Sequence, residues 1–176
     1  MTVMIRRATL RDVRGIAFVH LTSWRTAYSD FVPAEHLAKK KLFERVWFWQ
    51  MRLLRGMSVH VVDDASQIVG FCAFGKANPP DAVYTGEIYN LHLLPNQRGR
   101  GLGSQLVRRA AAELQAAGHT HFLLGVFADN RNARIFYEKI GGVLVAEIES
   151  KFDTYPLKEV VYGYTIADLL AKGGEA

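Results

Sequence analysis

The segment Gln97-Arg98-Gly99-Arg100-Gly101-Leu102-Gly103-Ser104 follows an apolar run, Ile88 to Pro95, and opens an amphipathic stretch from Leu102 to Ala117. A strand, a short glycine-rich turn and a helix in that order aim several backbone N–H groups, and the positive end of a helix dipole, at one place. The chemistry suited to that place is the binding of a phosphate or pyrophosphate. Arg98 and Arg100 add positive charge there, and Gly99, Gly101 and Gly103 let backbone and ligand come close. Two nucleotide motifs are excluded. A P-loop requires a lysine before its Ser or Thr, and Gly103 stands before Ser104. The dinucleotide fingerprint requires an N-terminal βαβ unit and an acidic residue about 20 positions on, and neither is present.

A second constellation lies about thirty residues downstream, in Val126 to Gly141. His121 to Phe127 reads as a strand, and Asp129 or Asn130 as the cap of a helix that ends at Gly141. Ala133, Phe136, Tyr137 and Ile140 recur at helical spacing and give that helix one apolar face.

With both constellations in place, the chain resembles the GNAT superfamily of acyl-CoA-dependent N-acyltransferases. The acyl-CoA signature of that family, Arg/Gln-x-x-Gly-x-Gly/Ala, is matched by Arg98, Gly101 and Gly103. Its second signature, Asn-x-x-Ala-x-x-Phe/Leu-Tyr-x-x-x-Gly, is matched by Asn130, Ala133, Phe136, Tyr137 and Gly141. One departure stands out: the aromatic residue that usually follows the last glycine is Gly142 here.

The resemblance implies transfer of an acetyl group from acetyl-CoA to a primary amine, by direct attack in a ternary complex. The acceptor is expected to be a small molecule or a peptide or protein amine. The backbone of Leu91, His92 and Leu93 is implied to bond the pantetheine and the acetyl carbonyl. Arg98 and the turn residues Gly99, Arg100, Gly101, Leu102, Gly103 and Ser104 are implied to hold the pyrophosphate. Asn130 is implied to contact the pantetheine, with Ala133 and Phe136 on the same cofactor side. Tyr137 stands where the family keeps a phenol near the thioester sulfur. A phenol with an ordinary pKa of about 10 is neutral at pH 7 and can protonate a departing thiolate. Glu87 lies on the strand where several members place a glutamate that deprotonates the amine through water. A carboxylate needs partial burial to raise its pKa for that work, and a glutamate paired with a nearby cation is the other reading. His92 is a second candidate base, because an imidazole titrates near neutrality. A non-catalytic module of the same fold that binds acyl-CoA is the alternative function.

The elements that must position these groups are read from periodicity. Val3 to Arg7 is a strand, and Thr9 can cap a helix reaching Tyr28, with Val13, Ile16, Ala17, His20 and Trp24 on one face. Pro33 starts a helix from Ala34 to about Leu54, broken near Phe43. Val59 to Asp63 and Gln67 to Lys76 form a hairpin around Asp64-Ala65-Ser66. Thr85 to Leu94 is the next strand. After the two signature helices come strands at Gly142 to Glu149 and Leu157 to Ile166. This is an α/β chain with a mixed sheet in the order β-α-α-β-β-β-α-β-α-β-β. In the family that order goes with a V-shaped splay between the fourth and fifth strands and with one domain, here residues 1–176. Trp24 and Tyr28, four apart, share a face that can wall an acceptor pocket or belong to the core. Trp47, Phe48 and Trp49 cannot all face one side of a helix, so one of them is expected to be exposed or to meet a partner, with a homodimer contact tested at Trp49.

Composition sets the remaining bounds. The 176 residues are 49% apolar, enough for one core, and 22 Lys and Arg against 17 Asp and Glu leave a net charge of +5. That charge suits a phosphate-rich ligand, and no nucleic-acid motif accompanies it. Lys39-Lys40-Lys41 reads as a solvated helix face. The lone Cys72 lies in an apolar run and reads as a core residue in a reducing compartment, so a cytoplasmic location is expected. No metal-ligand spacing and no apolar run long enough for a membrane span is present, so neither a metal nor a membrane partner is expected.

Overall fold

The computed structural model describes residues 3–65, 67–79 and 81–172. The elements are β1 (Val3–Arg7), α1 (Val13–Ala27), α2 (Ala34–Ala38), α3 (Leu42–Leu54), β2 (Ser58–Asp64), β3 (Gln67–Lys76) and β4 (Gly86–Leu93). They continue with α4 (Leu102–Ala116), β5 (His121–Phe127), α5 (Arg131–Lys139), β6 (Val143–Phe152), β7 (Tyr155–Thr165) and α6 (Ile166–Ala171). The strands hydrogen-bond in the order β1-β2-β3-β4-β5-β7-β6, with β4 parallel to β5. Two compact units make up the chain, Met1–Phe74 with Asn90–Val107 and Gly75–Tyr89 with Arg108–Ala176.

In the first unit, α1 buries Val13, Ile16, Ala17 and His20 of the expected stripe, leaves its fifth member Trp24 half-buried, and also buries Val19, Leu21 and Ser23. Its entry is a short 3-10 turn, Leu10–Asp12, in which the Thr9 amide donates to Asp12 Oδ2 at 2.7 Å. Arg6 clamps this entry to β2, its Nη2 lying 2.7 Å from Asp12 Oδ1 and 2.8 Å from Asp63 Oδ2. The single broken helix expected over 34–54 is two helices, and the break falls at 39–41 rather than near Phe43. The three lysines therefore lie in the connection and not on a helix face. Glu44 reaches back to accept from the Lys41 amide at 3.2 Å, which starts α3 at Leu42.

The aromatic run on α3 turns Trp49 inward and Trp47 outward. Trp49 is fully buried, its indole N–H donating to His20 Nδ1 at 3.0 Å and its ring meeting Phe71 edge-on at 4.9 Å. Trp47 is the exposed member, at 67%. A charge at residue 49 would break the core and say nothing of a dimer.

In the second unit, β4 and β5 share a parallel register from Gly86↔Phe122 to Ile88↔Leu124, and it ends there although β5 continues to Phe127. On its other side β5 pairs with β7 along its whole length, His121↔Thr165 to Phe127↔Glu159. The last hairpin is longer than the sequence suggested. Pairing runs on to Phe152↔Tyr155, and Asp153 turns the chain with φ of +58°. Ile166 belongs not to β7 but to α6, a helix the periodicity did not reveal, anchored by buried Ile166 and Leu169. Among the described residues no helix is long and apolar enough to cross a membrane.

Candidate active site

Within the first unit, the glycine-rich turn has the backbone its sequence requires. Gly99 and Gly101 adopt φ of +73° and +75°, a region costly for residues with a Cβ. Nothing lies within 4 Å of a Cβ built on Gly99, so the space above the turn is open. The turn is fixed from behind: Gln97 is buried and its Oε1 accepts from Arg100, while the Ser104 hydroxyl donates to Gly101 O at 2.8 Å. Leu102 and Gly103 are buried as α4 begins. Arg98 is exposed and extends to Thr26 Oγ1 at the end of α1, 3.4 Å away.

His92 projects from β4 into a ring cluster. Its centroid is 4.7 Å from that of His20 and 5.3 Å from that of Phe71, and its Nδ1 is 2.9 Å from Ser23 Oγ. Burial, with the charge of Arg98 adding to it, pushes the imidazole down to about 3. It is neutral and does not titrate near pH 7, which removes the reason for choosing it as base. Trp24 belongs to the same cluster, 4.0 Å from His20 edge-on, with the Arg45 guanidinium 5.4 Å from its ring. Tyr28 contacts Phe31, their ring centroids 5.4 Å apart. Leu93 is locked against β3, where a Cβ on Gly70 would lie 2.3 Å from its Cδ2. Cys72 is fully buried and its thiol is pushed strongly upward by burial, so it is no nucleophile.

Within the second unit, Asn130 caps α5, its Oδ1 accepting from the Ala133 amide at 3.3 Å. Phe136 and Tyr137 follow on that helix. Tyr137 is buried, its ring 6.1 Å from that of Tyr162 and its carbonyl accepting from the Tyr164 hydroxyl at 2.9 Å. Gly142, the departure from the family pattern, has a local cause. A Cβ there would lie 2.6 Å from Tyr164 Oη and 2.9 Å from the Tyr137 carbonyl, so the phenol of β7 fills the place an aromatic would take.

Glu87 is half-buried on β4, and its Oε2 accepts from the Asn78 amide at 3.2 Å. Burial raises its pKa, the Asn78 hydrogen bond lowers it, and the charge of Glu159 raises it again. Among the described residues no cation pairs with Glu87, so the reading of a merely ion-paired glutamate finds no partner. The Ser23–His92 contact and the approach of Glu159 to Gly125 were not anticipated from sequence. Glu159 had one available signal, the isolated Gly125 inside a strand, which marks a close approach of another group.

An open mixed sheet carrying a glycine-rich turn before one helix and an asparagine cap before another defines an acyltransferase of the N-acetyltransferase type. Residues 21–142 match the model of the acetyltransferase (GNAT) family, and the chain belongs to that family. It is 32% identical over 162 residues to the uncharacterized N-acetyltransferase YuaI of Bacillus subtilis (strain 168), covering 92% of each chain. Its fold is similar to that of the paia N-acetyltransferase of Thermoplasma acidophilum, solved with coenzyme A, at a TM-score of 0.73 and 18% identity over 94% of this chain and 99% of that one. A comparable likeness, TM-score 0.70 and 20% identity over 94% and 95% of the two chains, links it to yncA of Salmonella typhimurium, solved with acetyl-CoA.

Proposed function

We propose that the protein transfers the acetyl group of acetyl-CoA to a primary amine by direct attack, with Glu87 as base and Tyr137 as acid. The observation that carries this reading is the turn itself. Two left-handed glycines, Gly99 and Gly101, open space above Gly99 and the charges of Arg98 and Arg100 form a cradle for a diphosphate at the start of α4. Two structural neighbours hold CoA or acetyl-CoA, which fits such a cradle. Arg98 supplies charge, and the backbone of Leu91 to Leu93 orients the acyl chain.

The reaction requires two proton transfers. The amine loses a proton to Glu87, whose affinity for protons is raised by burial. The nitrogen lone pair forms the new C–N bond, the C–S bond breaks, and the thiolate takes the Tyr137 phenolic proton. Solvent restores both groups. The neutral His92, with Ser23 on its Nδ1 and Trp24 nearby, gives the first unit an uncharged hydrogen-bonding surface. The Arg45 guanidinium, 5.4 Å from the Trp24 ring, and Arg25 on α1 add positive charge to that unit and disfavour polycationic acceptors.

Thiol release from acetyl-CoA across a panel of primary amines tests the reading. Turnover on at least one monoamine, lost in Glu87→Gln and Tyr137→Phe, is the expected result. Binding of CoA with no turnover on any amine would instead identify a non-catalytic acyl-CoA-binding module.

A further inference from the structure

The face of the second unit that carries Glu87 also carries a second carboxylate. Glu87 is paired with Leu123 on β5, and Phe127 two positions past Gly125 is paired with Glu159 on β7. Side chains alternate along a strand and paired residues point the same way, so Glu87, Leu123, Gly125, Phe127 and Glu159 share one face. Glu159 does not stand upright beside Phe127. It leans along the sheet until its Oε1 lies 1.7 Å from where a Cβ on Gly125 would be. The Ser150 hydroxyl holds it there, donating to Oε2 at 3.0 Å. A strand spacing of about 4.8 Å and a rise of about 3.3 Å per residue put Gly125 roughly 8 Å from the Glu87 backbone, within reach of one glutamate side chain.

The missing Cβ of Gly125 is thus the notch that lets a carboxylate lie across β5 toward the base. Each glutamate has one oxygen bonded to a neutral donor, Asn78 N–H or Ser150 O–H, and among the described residues neither has a cation to neutralise it. We infer that Glu159 is a positioning residue for Glu87, set in the Gly125 notch to keep a fixed negative charge beside the base as it takes the amine's proton. The inference rests on Glu87 being the base, as proposed above. An amine that arrives as ammonium gives one N–H proton to a Glu87 oxygen, which passes it to solvent, and the neutral amine then gives Glu87 a second proton as the C–N bond forms. Glu159 stabilises the protonated Glu87 against loss of the proton and remains the counter-charge of the incoming cation. The raised proton affinity of Glu87 agrees, with burial its main cause and the Glu159 charge a further one. The other neighbours of Glu87 on this face are Tyr89 two residues along β4, whose hydroxyl donates to Lys76 O, and Leu123 and Gly125 on β5, none of them a carboxylate or a cation.

Titration of the Glu87 carboxyl carbon by 13C NMR in the full chain, its signal assigned by loss in Glu87→Gln, tests this without an acceptor. Glu159→Gln should move the midpoint to lower pH. Gly125→Ala, whose methyl displaces the carboxylate, should move it the same way, and Ser150→Ala by less. The acid limb of kcat/KM for a turned-over amine should follow. An unmoved or higher midpoint in Glu159→Gln and Gly125→Ala overturns the inference. Retention of the acid limb in Glu87→Gln instead overturns the base assignment, so the two failures are told apart.

Discussion

Tyr137 and Cys72 separate chemistry from burial at the scale of single residues. Both are buried, yet Tyr137 sits on the signature helix α5 while the Cys72 thiol is enclosed in β3 with its proton held tightly. A direct transfer needs a proton for the leaving thiolate and needs no protein nucleophile. Tyr137→Phe should therefore lower kcat by about 100-fold or more while KM for acetyl-CoA changes little. Cys72→Ala should leave kcat unchanged and cost about 1 kcal/mol of stability from the lost side chain. Steady-state kinetics with a turned-over amine, beside urea unfolding, checks both. A burst of thiol release before any amine is added would point to an acyl-enzyme and contradict the direct route.

At the scale of elements, Gly142 and Asn130 show what the sequence could and could not say. The strand–turn–helix order around Arg98 and the capped helix at Asn130 were legible because each depends on local rules of glycine conformation and helix capping. The position of the break between α2 and α3 and the full length of the β6–β7 hairpin were missed although their causes are local, the Glu44 cap and the Asp153 turn, whereas α6 was missed because it depends on a distant partner, the Ile166 amide donating to Thr120 O. The burial of Trp49 is of that kind: periodicity cannot tell which of three adjacent aromatics will meet His20 and Phe71. Glu159 escaped for the same reason, being placed by a register between β5 and β7 that no short window contains. Gly142 reads as a defect in the motif until Tyr164 is seen filling the space. Gly142→Ala should thus cost about 1–3 kcal/mol by overpacking, and the cost should shrink in a Tyr164→Phe background, where the clashing oxygen is gone. A double-mutant cycle by urea denaturation measures that coupling. An additive result would mean that Tyr164 is not what excludes a side chain at residue 142.

At the scale of the whole molecule, titration and ligand binding both act on the folded state, and their signs can be worked out. His20 is held well below its ordinary value by burial, and His92 is pushed down to about 3. Both stay neutral when folded but take protons when unfolded, so stability falls as pH drops below about 6.5, by ~1.4 kcal/mol per pH unit for each group. Asp12, lowered by its hydrogen bond to Arg6, stabilises the fold above its unfolded value and loses that contribution as pH falls through the depressed one. Glu87, raised by burial, acts in the opposite sense over the carboxylate range. Urea midpoints should decline from pH 7 to pH 4, and His92→Gln should flatten that decline. Ligand linkage then tests the turn directly. At about 100 times its Kd, a ligand adds ~2.7 kcal/mol of stability, which for a chain of this size is a rise in Tm of about 5–10 °C. If the diphosphate is what the turn holds, then ADP should give part of that rise and pantetheine alone much less. Gly101→Val, which forces a branched side chain to φ of +75°, should abolish the ADP response relative to its own ligand-free baseline. A chain stabilised by pantetheine but indifferent to ADP would place the recognition energy outside the turn, and the proposed orientation of the thioester would lose its anchor.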